Sequence, residues 1–429
     1  MNGVKKPPYG FAEDGGTMYV RLPGNANPNG KSIKLTDSVS QSIVTIRNSP
    51  YVILDGFKIA GAGRTWAVNV DNGSHHVTLR NLNVTHSRYG AVLPNNSIFE
   101  WSEFSYPNFR NFVDDLFTLN GVASNGPIFD LVKRYYSSGG NAFLEGGLAT
   151  SGSTPTSNQE FRYNYIHEVF DGEKLGVFND TVTHHNVYNY NYDDHIEFEG
   201  WRSNHTARNL RAHDNLFLNS AATMLSHQVS GGSIQGPHYV YRNVIYITDS
   251  RHSHPWTVIK NRKMGNGQVY YYHNVIKNNA GENQGWGNTN WLYWDESVGT
   301  PGNLTFRNNI FLFDVLSPGR GGAPVPSFGN NVLAGSSNIG KLTAGGGRYV
   351  GNESSVRFTS ANSLNFGLQS SSPAINAGTT LPGNWPDSHK SAINGAPDAG
   401  AFEYGENPGN NWPRPRSTAY TIEKPDRWK

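Results

Sequence analysis

With 429 residues, only 16% of them charged, and a formal net charge of +2, the chain has no basic stripe for wholesale nucleic-acid binding and lacks the charge density of a disordered polymer. No apolar run approaches the roughly 18 residues of a membrane-spanning helix, and the absence of cysteine excludes disulfides and thiol chemistry. Apolar residues are 36% of the chain while Gly (48), Asn, Tyr and Trp are plentiful, which suits an all-β solenoid or sandwich rich in turns.

The opening "MNGVKKPPYGF" carries charge but no apolar h-region, so no signal peptide is read there and the chain is expected to be a trimmed or mature form. In residues 1–45, "TMYVRLP" reads as a strand and "GNANPNGKS" as a turn-rich loop. This region is expected to form an N-terminal β cap, because an exposed solenoid end invites edge-to-edge pairing.

From residue 46 to 404 a short pattern recurs: a polar residue, Asn, then apolar residues. It reads "RYNYIHEVF" around Asn164, "HHNVYNY" around Asn186, "HDNLFLN" around Asn215 and "YRNVIYI" around Asn243. It continues as "YHNVIKN" around Asn274, "RNNIFLF" around Asn309 and "GNNVLAG" around Asn331, with looser relatives near Gly56 and Asn81. Subtracting positions gives spacings of 22, 29, 28, 31, 35 and 22. Such a repeat predicts a parallel β-helix, in which each coil buries little alone and stacking at about 4.8 Å builds a continuous core. An Asn at an equivalent turn of successive coils can hydrogen-bond along the stack and tolerates left-handed backbone, so these residues read as architecture. A β-propeller is the rival, but its blades need about 40 to 50 residues each. The tail, residues 405–429, is Pro-rich and is expected to run extended.

Each coil carries a second apolar run. In order these are "NAFLEGG", "GEKLGVF", "DDHIEFEG", "ATMLSHQ", "WTVIKNR" and "WLYWDES". In "DDHIEFEG" strand alternation turns Ile196 and Phe198 inward and His195, Glu197 and Glu199 outward. The same outer face in neighbouring coils is expected to carry Glu145, Glu173 or Lys174, Ser226 or His227, Lys260 or Asn261, and Asp295. Outward residues two apart on a strand sit about 6.6 Å apart, and those on adjacent coils about 5 Å. Inverting glycosidases separate their carboxyl groups by roughly 6.5 to 9.5 Å and retaining ones by roughly 5 to 5.5 Å, so the stripe can serve either.

Asp194, Glu197, Glu199, Glu173, His227 and Lys260 are therefore the catalytic candidates. Asp193, His195, Arg262, Trp201, Trp256, Trp291 and Trp294 are candidates for substrate binding, since sugar C–H faces stack on aromatic rings while hydroxyls bond carboxylates. Ca²⁺ held by Glu173, Asp193 and Glu197 is a further reading of the same acids. Paired Asp193 and Asp194 also suit an ordinary turn, and the second pair, Asp114 and Asp115, is weaker. His184, His185, His213, His238 and His273 fall at coil turns and read as structural. No HExxH, P-loop, GxGxxG or GxSxG pattern occurs.

The Asn-apolar coils and "YDDHIEFEG" resemble the right-handed parallel β-helix proteins that act on polysaccharides. The segments "SSPAINAGTTLPG" and "NGAPDAGAFEYG", closing at Gly405, resemble the end of many secreted bacterial β-helix proteins. The resemblance spans most of residues 45–405 and implies a right-handed, pectate-lyase-like solenoid that is secreted or periplasmic. It also implies a polysaccharide or oligosaccharide partner; the oligomeric state is not read from the sequence, a monomer being the expectation. It implies a glycoside hydrolase with outer-face acids, or a polysaccharide lyase in which Lys260, Arg262 or His227 removes the uronate C5 proton, assisted by Ca²⁺. The chain departs from both groups. It lacks the Gly-His-Gly and Arg-Ile-Lys patterns of polygalacturonases, and the Lys-Ser and Arg-His-Gly pairs of alginate and chondroitin lyases. A third reading is a glycan-binding β-helix without catalysis, which needs aromatics and Asn but no clustered acids.

Overall fold

Stacked short strands dominate the molecule. The computed structural model describes residues 10–14, 17–21, 42–60, 66–71, 73–85, 87, 89–105, 141–143, 156–169, 171–175, 178–191, 194–198, 206–220, 223–228, 233–247, 257–262, 267–277, 292–294, 303–312, 326–335, 343–408 and 412. Among these residues the strands are two to six residues long and form three long sheets of nine, ten and eleven strands. Within each long sheet every strand pairs in parallel with its counterpart one coil away. The chain visits the nine-, ten- and eleven-stranded sheets in turn and repeats, an architecture compatible with a parallel β-helix.

The interior is one apolar column per strand position. Phe99, Phe161, Ile166, Ile196, Phe198, Leu225, Ile259, Phe306 and Leu333 belong to a single buried cluster running along the stack. Such short strands cannot bury a core alone, so stability comes from the repeated contacts between coils.

The corner between the ten- and eleven-stranded sheets explains the repeat. The backbone N–H of Asn164 donates to Oδ1 of Asn186 at 2.8 Å, and the chain of bonds continues through Asn215, Asn243, Asn274, Asn309 and Asn331. Each of these side chains is fully buried, and Nδ2 of Asn186 also donates to the Phe161 carbonyl of the preceding coil. One detail differs from the sequence expectation. The left-handed residue is the one before each ladder asparagine: Tyr163, His185, Asp214, Arg242, His273, Asn308 and Asn330, all with φ between 52 and 56°. Asn81 occupies this left-handed position with φ 52°, so it belongs one place before the ladder, and in the next coil Ser102 Oγ takes over by accepting from the Leu82 N–H.

Two parts stand outside the coils. Gly10–Asp14 and Thr17–Arg21 form an antiparallel hairpin. Beyond the last coil strand, Arg348–Tyr349, the chain folds back through short 3-10 turns and an antiparallel pair, Phe358–Ser360 with Asn365–Leu368. Phe366, Ala374, Ala399, Phe402 and Trp412 of this segment cover Val187, Leu216, Val244, Val275 and Ile310 on the outer face of the eleven-stranded sheet.

Candidate active site

The site is built on the nine-stranded sheet, and its register fixes which side chains face where. Parallel pairing aligns Phe143, Glu173, Ile196, Leu225, Ile259 and Leu292 in one column. Its neighbour aligns Lys174, Glu197, Ser226, Lys260 and Tyr293. The first column holds Ile196, Leu225, Ile259 and Leu292 and faces the core; the second therefore faces out.

Five charged groups meet on the outer side. Carboxylate oxygens of Asp171, Asp194 and Glu197 lie within 4.8 Å of one another. The Lys174 ammonium donates to Asp171 Oδ2 at 2.9 Å and to Glu197. Lys260 Nζ stands 3.8 Å from Asp194 Oδ2. All five residues are buried. Burial alone lowers the Lys174 pKa, but the fields and hydrogen bonds of Asp171 and Glu197 outweigh it and hold the ammonium well above its ordinary range. Among the described residues, and with every group ionised, three carboxylates against two ammoniums leave one surplus negative charge, which a proton or one added cation would neutralise.

Gly172 makes this convergence possible. A Cβ there would sit 2.4 Å from the His195 carbonyl oxygen. Without it the two coils close, Gly172 N–H donates to the Asp194 carbonyl, and the Asp194 N–H reaches Asp171 Oδ1 at 3.3 Å.

Three expected outer-face residues face inward. Glu173 stands in the core column, one place before Lys174, and accepts from the Tyr188 hydroxyl at 2.7 Å and the Thr183 hydroxyl at 3.2 Å. Burial pushes its carboxyl up to about 8, the two hydrogen bonds acting in the opposite sense. His195 is fully buried, with Nε2 bonded to the Leu218 carbonyl at 2.7 Å and its ring beside Tyr188 and Phe217. Burial lowers it to about 4. His227 is likewise fully buried, its ring stacked on Phe198 at 4.2 Å and Nδ1 paired with the Tyr271 hydroxyl. None of the three can touch a substrate on the outer face. The strand Glu173–Lys174 is two residues long, and its phase is set by the turn at Gly172, one residue from the expected alignment of Glu173 with Glu197.

Asp194, Glu197 and Lys260 are brought together. Asp171 was not among the candidates; the signal for it was the "DGEK" turn that precedes Lys174. The sequence offers Lys174 only as the alternative to Glu173 on the outer face. Asp193, Glu199, Trp201, Trp256 and Trp291 lie outside the described residues, as do Glu145, Asp295, Asp114 and Asp115. Arg262 and Trp294 are placed by backbone alone, opposite Gln228 and Asn261.

The oxygen donors of Asp171, Asp194 and Glu197 have the hard character that Ca²⁺ prefers. The ammonium of Lys174, however, already bonds two of the three, and Glu173 is turned into the core. The set as it stands therefore does not fit a Ca²⁺ ion. No known protein family matches the chain, and no curated protein is similar to it.

Proposed function

We propose that the protein cleaves glycosidic bonds of a polysaccharide at the outer-face cluster, with hydrolysis as the reaction. The carrying observation is that Asp171, Asp194 and Glu197 converge within 4.8 Å on one face of a rigid sheet, with Lys174 and Lys260 among them. Carboxylates this close favour the tighter pairing of retaining hydrolases, roughly 5 to 5.5 Å between carboxyl groups, over the wider pairing of inverting ones. In this reading Glu197, bonded to Lys174, is the charged partner that meets the anomeric carbon. Asp194 donates the proton to the leaving oxygen. Asp171 and Lys174 hold Glu197 in place, and Lys260 binds the sugar. A right-handed coil path, a cap formed by residues 1–45, and a secreted or periplasmic monomer complete the proposal; they rest on the resemblance of the repeat and of the segment closing at Gly405.

A second reading, β-elimination on a uronic-acid glycan, is favoured by the two lysines. Lys174 would offset the uronate carboxylate and Lys260 would take the C5 proton. Incubation with neutral and uronic polysaccharides separates the readings. Hydrolysis yields new reducing ends alone, whereas elimination also yields an ultraviolet-absorbing unsaturated uronate. Glu197→Gln should lower the rate by about 10²–10⁴-fold, and a chelator should leave it unchanged because Lys174 supplies the local positive charge. Wild-type turnover by Glu197→Gln would sink the proposal.

A further inference from the structure

The outer face of the ten-stranded sheet carries a second constellation, away from the outer face of the nine-stranded sheet that bears the acidic cluster. Parallel register places Arg211, Tyr239 and Tyr270 in one column on successive coils. The rings of Tyr239 and Tyr270 are 5.7 Å apart, and Trp385, arriving from the C-terminal segment, stacks on Tyr270 at 4.2 Å. Arg211, Tyr270 and Trp385 are half-buried, so the column opens to solvent.

Arg211 differs from Arg80 and Arg162 of this sheet. Arg80 is paired with Asp55, and Arg162 with Glu100 and Glu160. Arg242, just past the sheet, is paired with Asp387 and Glu403. Among the described residues no carboxylate pairs with Arg211, and its Nε is buried without a hydrogen-bond partner. The carboxylates on this side are committed elsewhere: Asp214 to His213 and His389, and Asp387 to Arg242. The Arg211 charge acts on the hydroxyls of Tyr239 and Tyr241. A half-buried guanidinium with no carboxylate partner among the described residues, beside tyrosine hydroxyls and ring faces, matches a carboxylate mounted on a sugar ring. The fork bonds both carboxylate oxygens, the hydroxyls bond ring substituents, and the rings cover C–H faces.

We infer that Arg211, Tyr239, Tyr270 and Trp385 form a binding subsite for an acidic sugar, holding a uronate residue of a glycan away from the bond-cleaving cluster. The sugar class rests on the glycan reading above; the anion-binding geometry does not.

The test uses trisaccharides of galacturonic, glucuronic and mannuronic acid and their methyl esters, titrated calorimetrically into Glu197→Gln protein so that the probe is not consumed. At least one acid form should bind, its ester should bind about tenfold or more weakly, and added Arg211→Gln should weaken the acid form by about ten- to a hundredfold. Arg211→Lys should restore part of the loss, since it returns the charge but not the fork. Tyr270→Ala should weaken acid and ester alike. Equal affinity in the presence and absence of Arg211→Gln, with an unchanged circular dichroism spectrum, overturns the subsite, as does failure of every acid trisaccharide to bind. The outcome is separable from the cleavage reading. Arg211-dependent binding by a chain that cleaves no glycan keeps the subsite and removes the enzyme. Cleavage with Arg211-independent binding does the reverse.

Discussion

Two buried charge clusters decorate the outside of the coils, and they are wired differently. In the first, Arg242 and His389 tie the C-terminal segment to the ladder corner. Arg242 is fully buried and spends its guanidinium on Asp387 at 2.9 Å through both Nε and Nη2, on Glu403 and on the Gly400 carbonyl. His389 bridges Asp214 and Glu406 at 2.7 Å on each side, and Trp412 Nε1 donates to the Asp214 carbonyl. These contacts join residues up to 198 positions apart. In the second cluster, Lys174 and Lys260 meet Asp171, Asp194 and Glu197 across neighbouring coils, with Lys260 Nζ 3.8 Å from Asp194 Oδ2. The first cluster commits its guanidinium atom by atom and closes the fold. The second shares two ammoniums among three carboxylates of the described residues, an arrangement in which one partner can be exchanged for a substrate.

Substitution should expose the contrast. Arg242→Met removes the only cation between Asp387 and Glu403 among the described residues and leaves their charges buried. It should cost about 3–5 kcal/mol of stability, read by chemical denaturation. Glu197→Gln, in the other cluster, should cost under about 1 kcal/mol, because Lys174 keeps Asp171 and an amide oxygen as acceptors. Equal losses in the two variants would erase the distinction.

How much of this is legible in sequence follows from the range of each contact. The asparagine ladder is legible because each rung repeats the same local motif, and Ile196 and Phe198 are legible because alternation within one strand suffices. The phase of Glu173 is not, since a two-residue strand has no alternation to read and the deciding contact is Gly172 against the next coil. The inward turn of His195 and His227 is hidden for a related reason: their partners, the Leu218 carbonyl and the Tyr271 hydroxyl, come from other coils. The Arg242 clamp is hidden because Asp387 lies 145 residues away. Asp171 sits between these cases: it is close in sequence to Lys174, yet it precedes the apolar run on which strand alternation can be read.

Glu173 sharpens the comparison from behind the site. It lies on the core side of the strand whose outer side carries Lys174, with Tyr188 and Thr183 as its hydrogen-bond partners. Burial raises its folded pKa to about 8 from the ordinary 4.5. The folded state therefore holds the proton more tightly than the unfolded one, so this contribution is present at low pH and fades as pH rises from about 4.5 through 8. The loss amounts to roughly 3 kcal/mol between pH 5 and 8. Glu173→Gln should flatten that slope when denaturation midpoints are plotted against pH. Parallel curves for the two proteins would mean that the carboxyl does not enter the fold as a neutral acid.

His389 offers a smaller pH effect than Glu173 and a more local one. Burial lowers its pKa, but its bonds to Asp214 and Glu406 raise it to about 9 from the ordinary 6.5, while Arg242 pulls the other way. Besides these groups, its ring faces Phe402. A raised folded pKa means that its contribution is complete below about pH 6.5 and is lost as pH climbs through 9. Partial exposure reduces the effect to about 1–2 kcal/mol. The loss should appear first in the segment it fastens. Hydrogen exchange at the Ala377 and Ala399 amides, both bonded to the Ala374 carbonyl, should accelerate between pH 7 and 9 beyond the intrinsic base-catalysed rise. The Asn186 and Asn215 ladder amides should follow the intrinsic rise alone. His389→Gln should abolish the difference and leave glycan turnover untouched, because the clamp and the acidic cluster share no residue. Acceleration of ladder and clamp amides together would show that the C-terminal segment and the coils open as one unit, and the two charge clusters would then differ in chemistry but not in mechanical independence.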